Sequence, residues 1–596
     1  MCGIFGIVGS YDEQAAKKSL DLLSPRGRDG FGFEASGGYF FGQTRLAVMD
    51  IDLPSGPFCD DGHILTFNGE IYNYKALAEN LNIRPPFCEG DVILAGLKKE
   101  GISFLKKPRG MFAISYFDGQ KLFLARDDIG KKPLFYTIQN NTLIFASEIK
   151  SILGHIHKTK ISKEGLNGYF GFMSTVAPYT IYEGILKLSP GEYLEFDGRD
   201  TRLVRFSSVL ESIYDGGDES YCKEKTRERF FEGVGLRLCG DVEIGSLLSG
   251  GMDSALVLAV ASKVFGKKLK TFTVGYGGYD GYDERGAAAE SSKLLSSEHY
   301  EFEFGKEDFF ASLDRFIGYM DEPLNDPAAL PLDFLTAQIR KIGIKCVLSG
   351  EGSDEQYYGY RKYVEYAKFE ALDATPHKGW LKNYFESHIA YNKEWEWFLR
   401  AFRGEPVYRG YGENFLDSQR DRLFGGEHIP SISLLSQVLS EFSDGGGGDY
   451  WRWASFVDFR TWLVETLLHK VDRVSMHNGV EVRAPFLDRE FVSHSLSVPS
   501  GFKIPTSPKS YLKETFADIL PSQIANRDKK GFSYPYMQWL KEDGSLEVIR
   551  KVSEESGLFD RANIEFYMKP RKDKGFRHHL WGLYIFITEI FPGPYA

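Results

Sequence analysis

A change of hydrophobic period about a third of the way along the chain limits the fold more than any other feature. Up to about residue 205, short alternating runs recur, among them CGIFGIVG, YFFGQTRLAVMD, HILTFNGEIYN, GMFAISYFD, KLFLARDD and TLIFASE. A period of two, broken by turn residues, predicts half-buried strands in an antiparallel layered or sandwich arrangement. Helical patterns interrupt near Tyr74–Leu81 and Asp91–Lys99, and SPGEYLEFDGRD (Ser189–Asp200) reads as a closing hairpin. The polar stretch YDGGDES (Tyr214–Ser220) is a linker candidate. Beyond it, apolar strands alternate with helical periods: EIGSLLSGG, a helix running through Val264, LKTFTVGY and IKCVLSGEG. That alternation predicts parallel βαβ units. From about Phe456 the pattern is mostly helical. SDGGGGD (Ser443–Asp449) reads as a surface loop, and LWGLYIFITEIF (Leu580–Phe591) as a buried terminal helix too short to span a bilayer.

At 596 residues the chain can hold more than one core, and its 15% aromatic content suits buried cores and deep pockets. The net charge of −11 and the lack of a basic block do not invite nucleic acid or an anionic membrane. The six cysteines (2, 59, 88, 222, 239 and 346) form no CxxC and no zinc-finger spacing. A disulfide framework is not expected, and a reducing cytoplasm fits. No signal peptide is evident.

Two strand-to-helix turns carry chemistry. In SLLSGGMDSALVLAV (Ser246–Val260), glycines after a strand let backbone amides approach a phosphate at a helix N-terminus. No Lys-Ser/Thr pair follows, so this is not a Walker loop, and Asp253 suggests a carboxylate holding Mg²⁺ against phosphates. As structure alone, the stretch is a strand, a turn and a helix capped by Asp. In VLSGEGSDEQYYGY (Val347–Tyr360) a second strand ends in Gly/Ser turns with Glu351, Asp354 and Glu355. Open α/β sheets bind ligands at the carboxyl ends of their strands, so both loops could face one crevice, with Asp253 and Asp354 on Mg²⁺-pyrophosphate. A solvated acidic turn is the plainer reading, above all for Glu355. At the other end, Cys2 follows the initiator Met. With Met1 removed, one residue carries a nucleophilic thiol and a free amine with a pKa of roughly 7.7–8.0. A small residue leading into a buried strand is the alternative.

SGGMDS resembles the pyrophosphate loop of the ATP pyrophosphatases. Together with MCGIFG and SGEGSDE, it makes the chain resemble the glutamine-hydrolysing asparagine synthetases over nearly its whole length. RLAVMD (Arg45–Asp50), NGEIYN (Asn68–Asn73), RDDIGKKPLFY (Arg126–Tyr136), ASEIK (Ala146–Lys150), KVDRVSMHNGVEVRAPFLD (Lys470–Asp488) and RDKKGFSYP (Arg527–Pro535) follow in that family's order.

The resemblance implies an N-terminal four-layer αββα (Ntn hydrolase) glutaminase over residues 1–210. An α/β parallel-sheet ATP-pyrophosphatase domain with a helical C-terminal part would follow over 211–596. It implies Cys2 as nucleophile, Asn68 and the Gly69 amide as oxyanion hole, Arg45 on the glutamine α-carboxylate and Glu70 on glutamine. Leu247, Ser249, Gly250, Gly251, Asp253, Ser254, Val274, Ser349 and Gly350 would bind ATP. Asp253 and Asp354 would hold Mg²⁺, Glu351 would move a proton, and Lys529, rather than Lys530, would stabilise phosphate charge. The implied partners are small molecules: glutamine, ATP and a carboxylate acceptor, with aspartate the default. A homodimer is a family expectation. A non-catalytic nucleotide-binding scaffold is the reading from another class; the retained catalytic residue types oppose it.

The chain departs from the family pattern twice. In CEGDVIL (Cys88–Leu94), Glu89 falls where the family often has an Asp for the glutamine amine, with Asp91 as rival. In MDEPLNDPAALP (Met320–Pro331) there is no Arg, which the best-understood aspartate users carry for their acceptor. That version resembles a broader bacterial branch whose acceptors include carboxylates of sugars, peptides and cell-wall precursors.

Overall fold

The structure, a computed structural model, describes residues 2–156, 159–211, 217–279, 281–370, 372, 375–388, 392–527, 533–569 and 575–591. The first part is built from twelve strands: β1 (Cys2–Val8), β2 (Gly30–Ser36), β3 (Tyr39–Arg45), β4 (Phe58–Asp60), β5 (His63–Ile71), β6 (Gly110–Phe117), β7 (Leu122–Arg126), β8 (Phe135–Gln139), β9 (Thr142–Ala146), β10 (Leu186–Lys187), β11 (Glu192–Phe196) and β12 (Thr201–Arg205). They form two six-stranded sheets, ordered β10-β8-β9-β1-β3-β2 and β12-β11-β7-β6-β5-β4.

The period-two pattern sorts side chains between layers. Ile4 of β1, Phe41 of β3 and Ile64 of β5 meet Leu122, Leu124 and Phe145 between the sheets. Phe5, Ile7 and Phe40 point outward, onto Ala16 and Leu20 of the helix Glu13–Asp21. Leu65, Phe67 and Ile71 meet Leu77, Val92 and Ile93 of the helices Tyr74–Leu81 and Glu89–Glu100. Helix, sheet, sheet and helix thus stack in four layers, and β11 and β12 close the second sheet as the expected hairpin.

The second part carries β13 (Ile244–Leu247), β14 (Lys270–Gly275), β15 (Glu298–Glu303), β16 (Cys346–Leu348) and β17 (Glu481–Arg483). All neighbours in the order β15-β14-β13-β16-β17 are parallel. The pattern predicts a mostly helical region from about Phe456, but the run of successive helices after β16 extends upstream to Arg361, with amphipathic helices such as Lys393–Arg403 in it. Ser443 and Asp444 end a helix, and Asp449 caps the next by accepting from the Arg452 amide, so the glycine run is a tight joint between two helices. Of the linker candidate, residues 214–216 lie outside the described residues; Asp218 caps the helix Glu219–Arg237, which includes Ser220. The ten-residue segment Phe459–Leu468 is a π-helix, a rare form concentrated at functional sites. The apolar C-terminal stretch is buried as the helix Gly575–Ile590. Among the described residues, no helix is long and apolar enough to cross a membrane.

Buried ion pairs join the two parts. Arg26 donates to the Cys2 carbonyl at 3.1 Å and pairs with Glu148 at 3.3 Å and Asp472 at 2.7 Å. Lys132 pairs with the other Asp472 oxygen at 2.9 Å, and Arg473 with Glu148 and Asp321. The RDDIGKK and KVDR motifs are therefore an interlock: Asp127 accepts from the Phe112, Ile129, Gly130 and Lys131 amides, and Lys131 donates to the Leu487 carbonyl at 3.0 Å.

Candidate active sites

The inner faces of three strands change from apolar to polar toward one end of the first part. Ile4 gives way to Cys2, Phe41 to Gln43 and Arg45, and Ile64 to Thr66, Asn68 and Glu70, each spaced by two. Strand register sets Cys2 directly opposite Arg45. Alternation therefore gathers these groups between the sheets at one mouth.

The Cys2 amide donates to Asn68 Oδ1 at 3.2 Å, and Gln43 Nε2 approaches Cys2 Sγ at 3.6 Å. Asn68 Nδ2 is buried with no hydrogen-bond partner among the described residues. An unfilled buried amide donor beside a thiol is a preorganised site for developing negative charge. Gly69 is required by packing: a Cβ there would sit 1.9 Å from the Met111 carbonyl of β6. Burial pushes the Cys2 thiol up, while the Arg45 guanidinium pulls it down. Arg45 donates to the carbonyls of Met49 at 2.9 Å and Asp50 at 2.8 Å and also to that of Leu53, bracing the loop over the mouth.

Two buried carboxyls complete this pocket. Glu89 accepts from the Ile71 amide at 2.5 Å. Burial and then the Glu70 charge raise it well above the usual range. Asp91 instead accepts from the Cys88 amide at 2.9 Å, closing its own helix N-terminus, so it is Glu89 that faces Glu70. Burial and the neighbouring Glu481 push Glu70 up to about 7, against the pull of Arg483, which lies 3.5 Å away. Glu481 and Arg483 belong to β17, so the glutaminase-like pocket touches the parallel sheet directly.

In the second part, β13 has β14 on one side and β16 on the other, so a crevice opens where the strand order reverses. Leu247 leads into Ser249-Gly250-Gly251 and the helix Met252–Lys263, and Leu348 into Ser349-Gly350-Glu351 and the helix Ser353–Gln356. The loops touch: Ser353 Oγ donates to Asp253 at 2.8 Å. A Cβ on Gly350 would lie 2.8 Å from the Ser254 nitrogen, so only glycine allows this approach. Leu247, Ser249, Gly251, Asp253, Ser254, Val274, Ser349, Gly350, Glu351 and Asp354 all line one cavity of about 1050 Å³. Gly250 is not among its lining residues; its carbonyl accepts from Arg527 at 3.2 Å. Lys529 and Lys530 lie outside the described residues. Their flanks Arg527 and Ser533 stand at the loop and the cavity wall.

Lys509 carried no signal in sequence. Its ammonium lies 2.5 Å from Asp253 and 2.7 Å from Asp354, so the two carboxylates converge on one positive charge. Its backbone is left-handed, φ 57°, a conformation non-glycine residues adopt at strained sites. Two hard oxygen donors from facing phosphate-type loops fit a divalent cation such as Mg²⁺. Among the described residues, no group of three or more His, Cys, Asp or Glu could form a fuller cage. A second missed cation is Lys470, which lines the same cavity and pairs with Asp326 at 2.7 Å. The Arg-less segment is otherwise structural: Asp321 meets Arg473, and Glu322 meets Lys187 at 2.9 Å.

A four-layer sheet pocket with an N-terminal thiol and a parallel-sheet nucleotide crevice define a two-site amidotransferase. The glutamine amidotransferase domain model matches residues 1–207, and the asparagine synthase model matches 225–589. The chain belongs to the asparagine synthase family, as a glutamine-dependent, asparagine-synthetase-like ligase. It is 30% identical to asparagine synthetase [glutamine-hydrolyzing] 1 of Bacillus subtilis over 93% of this chain and 90% of that one. Asparagine synthetase [glutamine-hydrolyzing] 3 of the same organism is 27% identical, over 89% and 87%. Amidase chry2 of Gibberella zeae is 28% identical, over 92% and 88%.

Proposed function

We propose that the protein hydrolyses glutamine at Cys2 and uses the ammonia to amidate an ATP-activated carboxylate, for which aspartate is the reference acceptor. With Met1 removed, the Cys2 amine takes the thiol proton and the sulfur attacks the glutamine amide carbon. Asn68 Nδ2 and the Gly69 amide hold the oxyanion, and the proton leaves with ammonia. Water then cleaves the thioester to glutamate. Arg45 binds the α-carboxylate of glutamine, and Glu70 and Glu89 bind its amine.

In the crevice, an acceptor oxygen bonds to the α-phosphorus of ATP, and pyrophosphate leaves with the electron pair of the broken P–O bond. Ammonia then bonds to the acyl carbon, AMP leaves with the C–O pair, and Glu351 takes the surplus proton from nitrogen. Leu247, Val274, Ser349 and Gly350 contact the adenylate. Asp253 and Asp354 would hold Mg²⁺, which when bound neutralises pyrophosphate charge. Lys529 is assigned to the phosphates from the family motif.

What carries this reading is the pairing of an unfilled oxyanion donor at Cys2 with a two-loop crevice in one chain. A small cavity at the junction of the two parts is consistent with it. Glu351 borders both the large cavity and a cavity of about 20 Å³ lined by Met111 of the first part and Ser349 and Val482 of the second. That is room for one small molecule, and an enclosed path keeps ammonia unprotonated. The test is ¹⁵N-amide glutamine with MgATP and aspartate, followed by mass spectrometry. Labelled asparagine with equal AMP supports the full reading. Glutamate without asparagine moves the acceptor elsewhere, and neither glutamate nor AMP refutes it.

A further inference from the structure

The α-ammonium of glutamine needs an ionised carboxylate, and the carboxyls placed to meet it crowd one another. Glu70 is faced by Glu89 of its own part and by Glu481 of β17, and each discourages charge on it. Cys2 with the amino terminus, Tyr72, Cys346 and Arg483 are the other titratable groups around it. The amine is the base that chemistry at Cys2 uses, so its charge changes during turnover. Arg483 keeps its charge throughout.

Arg483 is fully buried, and most of its guanidinium is engaged within the second part. Nε donates to Glu481 at 2.5 Å, and Nη1 donates to the Arg237 carbonyl at 3.1 Å and to that of Cys239. Nη2 makes no hydrogen bond among the described residues and lies 3.5 Å from Glu70 Oε2. With three N–H groups of one rigid plane already held, the remaining end is aimed at Glu70. The main chain is fixed as well: Arg483 pairs with Leu348 of β16, and its carbonyl accepts from the Ser349 amide at 2.9 Å. On the other side, the ring of Tyr72 has the Arg483 guanidinium 5.3 Å and the Arg237 guanidinium 4.7 Å from its centre, which pins the segment after β5.

Resting on the glutaminase function proposed above, we propose that Arg483 is a positioning residue of the glutamine pocket: it orients Glu70 and supplies the counter-charge that readies this carboxylate for the α-ammonium of glutamine. The second part thereby completes the glutamine site of the first. The balance is poised, because Glu481 and Arg483 pull Glu70 in opposite directions and its carboxyl stands at about 7. About one tenth of it is ionised at pH 6 and about nine tenths at pH 8, and affinity for an ammonium scales with that fraction.

The test is glutamate release by the full-length enzyme, with glutamine KM and kcat measured from pH 6 to 8. The wild-type KM is expected to rise about tenfold from pH 8 to pH 6. Glu481→Gln removes the carboxylate that opposes Arg483, and should lower KM at pH 6 by up to about tenfold. Damage to the fold produces no such gain. Arg483→Met should raise KM at pH 7 about 10- to 100-fold, with kcat within about threefold of wild type because Cys2 and Asn68 are untouched, and Arg483→Lys should recover part of the loss. A Glu481→Gln KM unchanged or raised at pH 6, or an Arg483→Met loss that falls on kcat alone, overturns the assignment while leaving the glutaminase intact. No glutamate from the wild type at any pH overturns both.

Discussion

Asn68→Ala separates catalysis from stability at the thiol site. Among the described residues the side chain makes one internal bond, accepting at Oδ1 from the Cys2 amide at 3.2 Å, and its Nδ2 is buried without a partner. Losing the bond costs about 0.5–1.5 kcal/mol, whereas removing an unsatisfied buried amide relieves about 1–3 kcal/mol. The two nearly cancel, and at about 2–4 °C per kcal/mol the melting temperature moves by only a few degrees. In the transition state the balance differs, because Nδ2 then meets a developing oxyanion. Loss of one such donor lowers kcat by about 10²–10³, or about 2.7–4 kcal/mol. Glutamate release from glutamine reads kcat, a thermal melt reads stability, and amide synthesis from ammonium chloride reads the untouched second site. A glutaminase kcat within fivefold of wild type, or ammonia-driven synthesis falling in parallel, would refute the oxyanion assignment.

Lys509→Gln leaves Asp253 and Asp354 facing each other without their ammonium, so the free enzyme should melt lower. Added Mg²⁺ should restore most of the loss; a melt indifferent to Mg²⁺ would count against a cation site there. Glu70 has a folded pKa of about 7, raised by burial and then by Glu481. The folded state therefore binds more protons than the unfolded one above the ordinary carboxyl range, and this group's contribution falls as pH rises toward 7. Glu70→Gln should flatten the decline in melting temperature between pH 5 and 7.5, and an unchanged slope would place the proton elsewhere.

Much of both sites was legible because their chemistry is written in short range. Alternation places Cys2, Arg45, Asn68 and Glu70 on inner strand faces, since pleating sends every second side chain the same way. The strand–glycine–helix turns at Ser249 and Ser349 announce themselves, since only small residues let two loops approach as closely as Gly350 and Asp253 do. The three-residue β17 is too short to show a period, and the helices from Arg361 were hidden among aromatic and charged residues without a strand to set them off.

What the sequence determined by itself was local: the two periods, the order of strands and turns, and residue types suited to a thiol site and a phosphate site. Tertiary structure alone decided the rest. Lys509 meets Asp253 across 256 residues, and Arg26 joins Asp472 of the other part. Tyr360, Tyr411 and Trp462 become one wall only when three separate segments pack together. Such contacts leave no mark in pattern because burial, not spacing, pairs a charge or stacks a ring, and burial belongs to the folded chain as a whole.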